Sequence, residues 1–356
     1  MAKLEFVWRD ENAREQFLSL KSAVFSPEAV ERKAKTWDWM FSCPAGNQDH
    51  RTRLLFLEKD GAPVGAQILM PTMLVVDGQT YEASLPSSTL VHPGHRGVGL
   101  RLVRAPLQLE DMPPSSFGLA RDDRLNNYYV KSGGALSPPR ILCRKIYNLG
   151  QVIRERKPVP GVLSQALTTI GKLGVAATNM RRPKPRSNEA ISQIETFSVE
   201  FDTAWDEVAP RIGFAQARSS RFLNWRYVDM PIRQYKRAEL RRDGRLIGYV
   251  VISLYQVKDS LVGRVVDIFA YQDDARDYAL LLGWADRQFI AQRCDRSEIS
   301  FGVTPSIEKA ARLCGFLLRK EIRSIAAFVR DPAGRERLPH GLETIHFCRG
   351  DHDEDY

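Results

Sequence analysis

One segment of the chain carries a recognisable signature for anion binding. It reads Leu90-Val-His-Pro-Gly-His-Arg-Gly-Val-Gly-Leu-Arg101, so that a predicted strand passes through a proline turn into a predicted helix. The start of a helix presents backbone N–H groups without intrahelical acceptors, and glycines let phosphate oxygens approach them closely. Arg96 adds a cation beside Gly97 and Gly99. The segment therefore predicts a pyrophosphate site, although it matches neither the Walker loop nor the GxGxxG fingerprint.

The same segment resembles motif A of the GNAT acyltransferase superfamily, in which a strand ends in Val-x-Pro-x-x-Arg-Gly-x-Gly and the next helix cradles the pyrophosphate of acetyl-CoA. A second stretch, Tyr129-Val-Lys-Ser-Gly-Gly134, is similar to the family's Tyr-x-Lys-x-Gly-Phe box. The resemblance implies acetyl-CoA as co-substrate and no metal. The residues it implies for acetyl-CoA binding are Leu90, Val91, Arg96, Gly97, Val98, Gly99, Leu100 and Arg101.

Three side chains are candidates for proton transfer. The resemblance implies that Tyr129 protonates the leaving CoA thiolate and that backbone N–H groups near Leu90 and Val91 polarise the thioester carbonyl. An ordinary tyrosine pKa near ~10 keeps that hydroxyl protonated at neutral pH. Glu82 and His92 could each act as general base through water. The alternatives are that Tyr129 only packs inward, that Glu82 is a solvated edge residue and that His92 only caps the Pro93 turn.

A repeat within the sequence indicates two copies of one domain. The turn ending at Pro44, the pair Asp60-Gly61, Ser116-Phe-Gly118 and Gly133 recur as the turn ending at Pro231, Asp243-Gly244, Ser300-Phe-Gly302 and Gly315, at offsets between 182 and 187 residues. Each copy alternates predicted strands with a crossover helix, and Asp-Gly between apolar runs predicts a hairpin. The predicted fold is mixed α/β (α+β), with two tandem GNAT-like domains.

The predicted boundaries are 1–150 for the first domain, 151–195 for a basic linker, 196–350 for the second domain and 351–356 for an acidic tail. The second copy has Ala270-Tyr-Gln-Asp-Asp-Ala-Arg-Asp277 in place of the glycine loop, and Ala311 in place of Tyr129. Its carboxylates would repel a pyrophosphate. We therefore expect the first domain to bind acyl-CoA and the degenerate second domain to pack against it and help shape the acceptor site.

The composition and charge of the chain indicate where in the cell the protein acts. The chain has 356 residues, a net charge of +9 and five scattered cysteines, which predicts a cytoplasmic protein with no disulfide framework. Much of the positive charge lies between Arg154 and Arg186, flanking an apolar helical pattern over Pro160–Met180. That segment predicts peripheral contact with an anionic membrane; tRNA contact and a simple linker helix are the alternatives. Because the charge is confined to one stretch, general nucleic-acid binding is disfavoured.

Taken together, the sequence predicts an acyl-CoA-dependent N-acyltransferase, of acetyl type, acting on an amino group of a small molecule or amino sugar. The resemblance adds polysaccharide biosynthesis as a setting. One alternative is a Fem-type transferase that draws its acyl group from aminoacyl-tRNA. The other is a non-catalytic CoA-binding module, favoured by departures from the family pattern at Arg101, Pro106 and Gly134.

Overall fold

The computed structural model describes residues 3–44, 51–109, 113–120, 123–155, 160–321 and 323–352. The helices and strands of the first half follow in chain order: β1 (Leu4–Arg9), α1 (Arg14–Ser22), α2 (Pro27–Lys35), α3 (Trp37–Phe41), β2 (Arg53–Lys59), β3 (Ala62–Val76), β4 (Gln79–Val91), α4 (Gly99–Gln108), β5 (Ser115–Ala120), α5 (Asp123–Lys131), β6 (Ala135–Leu136), β7 (Ile141–Ile146) and α6 (Leu149–Arg154).

The second half repeats this alternation after a long helix. Its elements are α7 (Gly161–Arg181), β8 (Glu189–Ile194), α8 (Glu200–Val208), β9 (Phe214–Gln216), α9 (Ser220–Tyr227), β10 (Lys236–Arg242), β11 (Arg245–Val257), β12 (Ser260–Ala270), α10 (Ala275–Ala291), β13 (Arg296–Phe301), α11 (Pro305–Leu313), β14 (Leu317–Lys320), β15 (Ser324–Val329), α12 (Pro332–Gly341) and β16 (Ile345–His346).

Both predicted hairpins are confirmed. Asp60 and Gly61 have φ of 52° and 80°, and Asp243 and Gly244 have φ of 52° and 79°. A two-residue turn with positive φ at both central residues has a backbone twist that matches the right-handed twist of the flanking strands. Asp-Gly is favoured in such a turn because both residues tolerate positive φ. The two turns join β2 to β3 and β10 to β11.

The strands form two mixed sheets, which confirms the predicted fold class. The first has the order β1-β2-β3-β4-β5-β15-β6, with β9 pairing on β3 and β16 on β9, and the second has the order β14-β7-β13-β12-β11-β10-β8. In each sheet the strand before the crossover helix is parallel to the strand after it: β4 to β5 around α4, and β12 to β13 around α10.

The two sheets exchange their last strands, which the sequence repeat did not predict. β7 comes from the first half but pairs with β13 and β14 of the second sheet. β15 comes from the second half but pairs with β5 and β6 of the first sheet. Every residue of β15 is buried, so each half completes the core of the other. A boundary near residue 150 therefore separates the sequence repeats but not the hydrogen-bonded sheets.

Equivalent tryptophans join the halves. Trp39 and Trp225 stack with ring centroids 4.3 Å apart and planes within 2°. Each indole N–H donates to the backbone carbonyl of the other residue at 2.8 Å. This reciprocal pair gives the repeat an approximate two-fold relation. The two tryptophans thus anchor one half of the chain to the other.

The predicted helix of the basic linker is observed as α7. No helix in the described ranges combines the length and the apolarity that a bilayer crossing requires. Arg182, counted among the linker's basic residues, is turned inward and lies 2.9 Å from the buried Asp286. Arg156 and Lys157 lie outside the described residues, as do the side chains of Lys172 and Arg181.

Candidate functional site

A gap between two parallel strands forms the centre of the candidate site. The β4–β5 ladder has only the pairs Ala83↔Ser115 and Ser84↔Ser116. Beyond them the strands diverge, because β4 stays paired with β3 as far as Val91 while β5 follows β15. A cavity of about 410 Å³ opens in this gap, lined on the strands by Ser88, Thr89, Leu90, Gly118 and Leu119.

The glycine loop lies at the carboxyl end of β4, beyond Leu90. Its helix, α4, begins at Gly99 with Val98 as N-cap, and no side chain caps the first turn. Gly97 has a φ of 101°, a conformation that favours glycine, and a Cβ built there meets no atom within 4 Å, so the space beside it is open. A Cβ at Gly99 would lie 3.3 Å from Val91 Cγ2. Arg96 and Arg101 are exposed beside these amides. The loop can therefore accept an anion on its backbone.

One backbone N–H of β4 is aimed into the gap. The N–H of His92 donates to Val64 O at 2.9 Å and so points towards β3. Because successive residues of a strand direct their N–H groups to opposite sides, the N–H of Val91 points towards the diverged β5. The sequence predicts that backbone N–H groups near Leu90 and Val91 polarise the thioester carbonyl. Of these two residues, Val91 has the N–H that points towards the gap. A bulge precedes them, where Ser88 has a φ of 52° and the β3–β4 register shifts.

Tyr129 reaches this cavity from α5. The side chain is buried, and burial together with the neighbouring Tyr128 raises its pKa to about 12. Its hydroxyl therefore keeps its proton throughout the neutral range. Tyr128 points elsewhere: the guanidinium of Arg104 lies 4.8 Å from its ring centroid, and Tyr128 is not among the lining residues.

Two departures from the family pattern have structural causes. A Cβ at Gly134 would lie 2.6 Å from Ala327 O and 3.0 Å from Tyr129 O. The backbone of the exchanged strand β15 thus leaves no room for a side chain at position 134, where the family box has phenylalanine. Pro106 lies in the last turn of α4, which ends at Gln108, and it removes the one backbone hydrogen bond that an N–H at this position would donate to the carbonyl of Leu102.

The structure separates the two candidate bases from the cavity lining. Glu82 lies on β4 opposite Met73, at the level where β4 still pairs with β5. At about 3.3 Å per residue it is roughly 25 Å along the strand from Thr89 and Leu90. His92 accepts the N–H of Gly94 on Nδ1 at 3.2 Å and so caps the turn at Pro93–His95. Neither side chain lines the cavity.

Sequence reasoning missed a group of basic side chains at the other end of the cavity. Lys21 of α1 and Arg32 and Lys33 of α2 line it. Lys21 and Lys33 are only 7% and 6% exposed, which is rare for lysine. Their sequence context is an ordinary charged helix surface, so no local pattern marks them. Only the packing of α1 and α2 over the sheet brings them together.

In the second half, a side chain caps the corresponding helix start, which in the first half has no side-chain cap. Asp274 accepts the N–H groups of Arg276 and Asp277 at 2.8 and 3.1 Å, capping the first turn of α10. Arg276 itself is held by Glu189 at 2.6 and 2.8 Å. Ala311, the counterpart of Tyr129, is fully buried.

The gap between β12 and β13 in the second sheet, unlike the β4–β5 gap, is filled by other parts of the chain. β7 occupies one edge of β13, and on the other edge Phe301 pairs with Cys348 while Gly302 N donates to Phe347 O at 2.8 Å.

Asp351, predicted to belong to an acidic tail, is instead buried against Arg218 at 2.8 Å. Residues 353–356 of that predicted tail lie outside the described residues.

Three potential metal ligands meet in this filled gap. Among the described residues, Asp267, His346 and Cys348 place ligand atoms within 4.8 Å of one another. Asp267, however, already accepts from Tyr227, Tyr249 and the buried Arg218 at 3.1, 2.9 and 3.4 Å. Burial raises the pKa of the Cys348 thiol and keeps it protonated. With a guanidinium supplying the positive charge, the group fits an internal ion-pair cluster better than a cation site.

The two mixed sheets, each with a crossover helix between parallel strands, are consistent with two GNAT-like domains. No family model and no curated protein sequence matches the chain. Solved structures do match. A GCN5-related N-acetyltransferase from Anabaena variabilis ATCC 29413 has a TM-score of 0.62 at 11% identity, covering 93% of this chain and 74% of its own.

Two further solved structures support the same fold. Saccharomyces cerevisiae N-myristoyltransferase with bound myristoyl-CoA has a TM-score of 0.56 at 10% identity, covering 92% of this chain and 83% of its own. A tandem GNAT protein from the clavulanic acid biosynthesis pathway has a TM-score of 0.52 at 15% identity, covering 93% and 99%. At these identities the likeness establishes the fold alone.

Proposed function

We propose that the chain is an acyl-CoA-dependent N-acyltransferase, with acetyl-CoA as donor and the β4–β5 gap as its active site. The observation that carries this proposal is the combination of a helix start without a side-chain cap, which follows the carboxyl end of β4, with Tyr129 in the cavity of the gap; of the residues predicted to bind acetyl-CoA, Leu90 is the one that lines this cavity. The loop offers backbone donors to a pyrophosphate, and the gap offers an open strand edge to the thioester arm. The fold neighbours include acyltransferases with bound acyl-CoA.

The chain's own groups have distinct roles in the proposed transfer. A neutral amine attacks the thioester carbonyl carbon, and the N–H of Val91 stabilises the developing negative charge on the carbonyl oxygen. As the carbon–nitrogen bond forms and the carbon–sulfur bond breaks, the hydroxyl of Tyr129 donates its proton to the departing sulfur. The proton lost by the amine passes to water. The raised pKa of Tyr129 keeps the donor in its protonated form before each cycle.

The experiment combines binding with turnover. Calorimetry with acetyl-CoA should give one site per chain, and a thiol-release assay with small amines and amino sugars should give acceptor-dependent CoA. Binding without thiol release for any acceptor would favour a non-catalytic CoA-binding module. No acetyl-CoA binding, together with acyl transfer from aminoacyl-tRNA, would favour a Fem-type enzyme. An acceptor from polysaccharide biosynthesis stays a prediction of the sequence resemblance.

For its location, we propose that α7 rests on an anionic membrane surface. One face of α7 packs on the second half, whereas Val162, Ile170, Leu173 and Met180 on the other face are 60–82% exposed. The sequence from 161 to 181 contains no carboxylate, and Lys184 and Arg186 beyond it are exposed. Exposed apolar side chains beside cations are the combination that interfacial helices use.

Sedimentation with vesicles tests this location. The full chain should bind vesicles containing phosphatidylglycerol and not vesicles of phosphatidylcholine alone. The double variant Ile170→Ser, Leu173→Ser should lose binding, while Leu317→Ser, at a residue 69% exposed on β14, should keep it. Equal binding by all three proteins would refute the proposal. So would a dimer in ultracentrifugation that the double variant abolishes, because a second copy would then cover α7.

A further inference from the structure

Two polar side chains line the cavity at a place where the second half has apolar ones. Gln67 of β3 donates from its Nε2 to the Oγ1 of Thr89 on β4 at 2.7 Å, and both residues line the cavity. Counted from the Asp-Gly turn, the residue of the second half that matches Gln67 is Val250, which pairs across the strands with Ile268; both are fully buried. Gln67 is only 2% exposed, and burying an amide is costly. An apolar pair serves the repeated fold equally well, so the polar pair belongs to the cavity rather than to the fold.

The hydrogen bond within this pair leaves the hydroxyl proton of Thr89 available. Because the amide nitrogen of Gln67 is the donor, Thr89 Oγ1 is the acceptor, and its own proton needs another acceptor. Within the described part of the chain, the Thr89 hydroxyl has no further hydrogen-bond partner, and Thr89 is an exposed residue of the cavity lining. The amide oxygen of Gln67 is also buried without a partner. A ligand in the gap can therefore supply the acceptor that the protein does not.

The side chains of Thr89 and Tyr129 lie on the same face of the first sheet. Successive residues of a strand alternate between faces, and Leu90 belongs to the core cluster that includes α1, so Thr89 faces the other side. That side is covered by α4 and α5. Val91 packs there on the cluster under α4, and Tyr129 packs with Val103 of α4. The hydroxyl of Thr89 thus projects into the α4–α5 side of the gap, where the proposed function places the sulfur of the donor.

The opposite wall of the gap is open on this face. Gly118 of β5 follows Phe117, which belongs to the core cluster on the α1 side, so a Cβ at Gly118 would face α4 and α5. Such a Cβ meets no atom within 4 Å, whereas at the equivalent Gly302 it would lie 2.7 Å from Ile345 Cγ2. The first half therefore keeps room for an extended chain between Gly118 and Thr89, and the second half has filled the corresponding place.

We infer that Thr89 is a second hydrogen-bond donor to the thioester carbonyl oxygen, beside the N–H of Val91, and that Gln67 positions it. This inference rests on the proposed function. A threonine hydroxyl lies within reach of the backbone N–H two residues further along the chain, so both donors can bond to one oxygen. Donors that are fixed before the reaction stabilise the negative charge that develops on this oxygen when the amine attacks. Thr89 keeps its proton throughout, and no covalent step is added.

Infrared spectroscopy of bound acetyl-CoA, isotope-labelled at its carbonyl carbon, tests the contact directly. A hydrogen bond to a carbonyl oxygen lowers the carbonyl stretching frequency. Thr89→Val should therefore raise this frequency, and Thr89→Ser, which keeps a hydroxyl, should stay close to the wild type. Thr80→Val is the matched control, because Thr80 is exposed on the same strand but does not line the cavity. The wild-type frequency in Thr89→Val would overturn the inference.

Turnover measures what the contact contributes to the rate. Thr89→Val should lower kcat for thiol release at least about tenfold and leave the Kd for acetyl-CoA within about twofold, because a donor aimed at a developing charge acts mainly in the transition state. Hydrolysis, in which water attacks the carbonyl and acetate and CoA are released, needs the same activation of the carbonyl. It gives a second rate that does not depend on the identity of the amine. An unchanged kcat in both reactions would contradict the role of Thr89.

The positioning role of Gln67 is tested by reversing its hydrogen bond. In Gln67→Glu, measured at about pH 9 to ionise a buried carboxyl, the carboxylate takes the hydroxyl proton of Thr89. Both kcat and the carbonyl frequency should then resemble those of Thr89→Val. Gln67→Met removes the bond but leaves the hydroxyl free to donate, so kcat should fall less. Wild-type kcat and frequency in Gln67→Glu, with folding confirmed by circular dichroism, would show that any hydrogen bond suffices and would refute the positioning role.

Failure of the inference can be told apart from failure of the proposed function. If the wild type binds acetyl-CoA and releases CoA, and Thr89→Val matches it in frequency and in kcat, the inference alone fails. If Thr89→Val raises only the Kd, the hydroxyl contacts another part of the donor and the assignment to the carbonyl oxygen is wrong. If the wild type binds no acetyl-CoA, the proposed function fails and the inference fails with it.

Discussion

The two strand-to-helix loops of the molecule start from the same architecture and end in opposite chemical states. In the first half, residues 92–98 lead from β4 into α4, and no side chain caps the helix. In the second half, the shorter loop 271–274 leads from β12 into α10, and Asp274 caps it. A backbone donor that already holds a carboxylate cannot bind a phosphate. In the second half the first turn of the helix is thus supported by the chain's own side chain, whereas in the first half it is not.

The strand gaps beside these loops differ in the same way. The β4–β5 gap contains a cavity, whereas the β12–β13 gap holds the chain around Phe347 and Cys348. Arg218 and Asp351 form a buried ion pair in the filled gap. The second half thus fills with its own chain the space that the first half leaves as a cavity, and the following predictions test that contrast.

The largest effect should come from giving the first loop a carboxylate. Gly97→Glu and Gly99→Glu should each weaken acetyl-CoA binding at least about 100-fold, or ~3 kcal/mol, because a negative charge would occupy the anion cradle. Calorimetry measures the loss. Gly244→Glu is the control, since Gly244 also has a positive φ and open surroundings but lies in the second half. Unchanged affinity in the Gly97 and Gly99 variants would refute the site.

Removing the proposed proton donor should have the next largest effect. Tyr129→Phe should lower kcat by about 100-fold while leaving the Kd for acetyl-CoA within about twofold, because the hydroxyl acts only on the leaving sulfur. Steady-state kinetics and calorimetry separate the two quantities. Tyr128→Phe should behave like the wild type, since Tyr128 does not line the cavity. A normal kcat for Tyr129→Phe would remove this residue from the mechanism.

The internal support of the second loop should depend on pH. Hydrogen bonds from Arg276 lower the pKa of Glu189 from 4.5 to about 2. Its contribution to stability is therefore fully present above pH 4.5 and is lost as the pH falls towards 2. Glu189→Gln should lower the free energy of unfolding by about 2 kcal/mol at pH 7 and by less at pH 3. Urea unfolding at both pH values measures this; equal differences would contradict the prediction.

The smallest effect should come from uncapping the second loop. Asp274→Ala should cost about 1 kcal/mol in urea unfolding, the usual value of a helix N-cap. It should not create a second acetyl-CoA site, because the β12–β13 gap stays filled. Calorimetry should still give one site per chain, and a second binding event would show that the cap alone had closed the site.

Several features could be predicted from the sequence because they depend on local chemistry. The Asp-Gly hairpins, the crossover helices and the mixed α/β class follow from short-range patterns. The glycine loop could be located because Arg96, Gly97 and Gly99 place a cation and accessible backbone amides together at a helix start. The difference in charge between this loop and the Asp273–Asp277 region could also be predicted, since the residue types alone give the sign of each charge.

Other features depend on residues far apart in the chain. From the sequence alone, the His92 imidazole could be a general base or the cap of the Pro93 turn. In the structure its Nδ1 accepts the N–H of Gly94, which shows that it caps the turn. Glu82 shares β4 with the cavity but does not line it, which periodicity does not reveal, and its role as a base stays a prediction. Lys21 and Lys33 looked like ordinary helix-surface residues until the packing of α1 and α2 buried them beside the gap.

Residue types within short segments are enough to predict the repeated mixed α/β units, their hairpins and the copy whose loop carries glycines in place of carboxylates, because each depends on dihedral preference and charge within a few residues. The change of sheet by β7 and β15, the stacking of Trp39 on Trp225 and the position of Lys21 and Lys33 in the cavity lining depend on the folded chain. These arrangements join residues that are far apart in the chain, and burial of apolar surface between such segments leaves no periodic trace in either one.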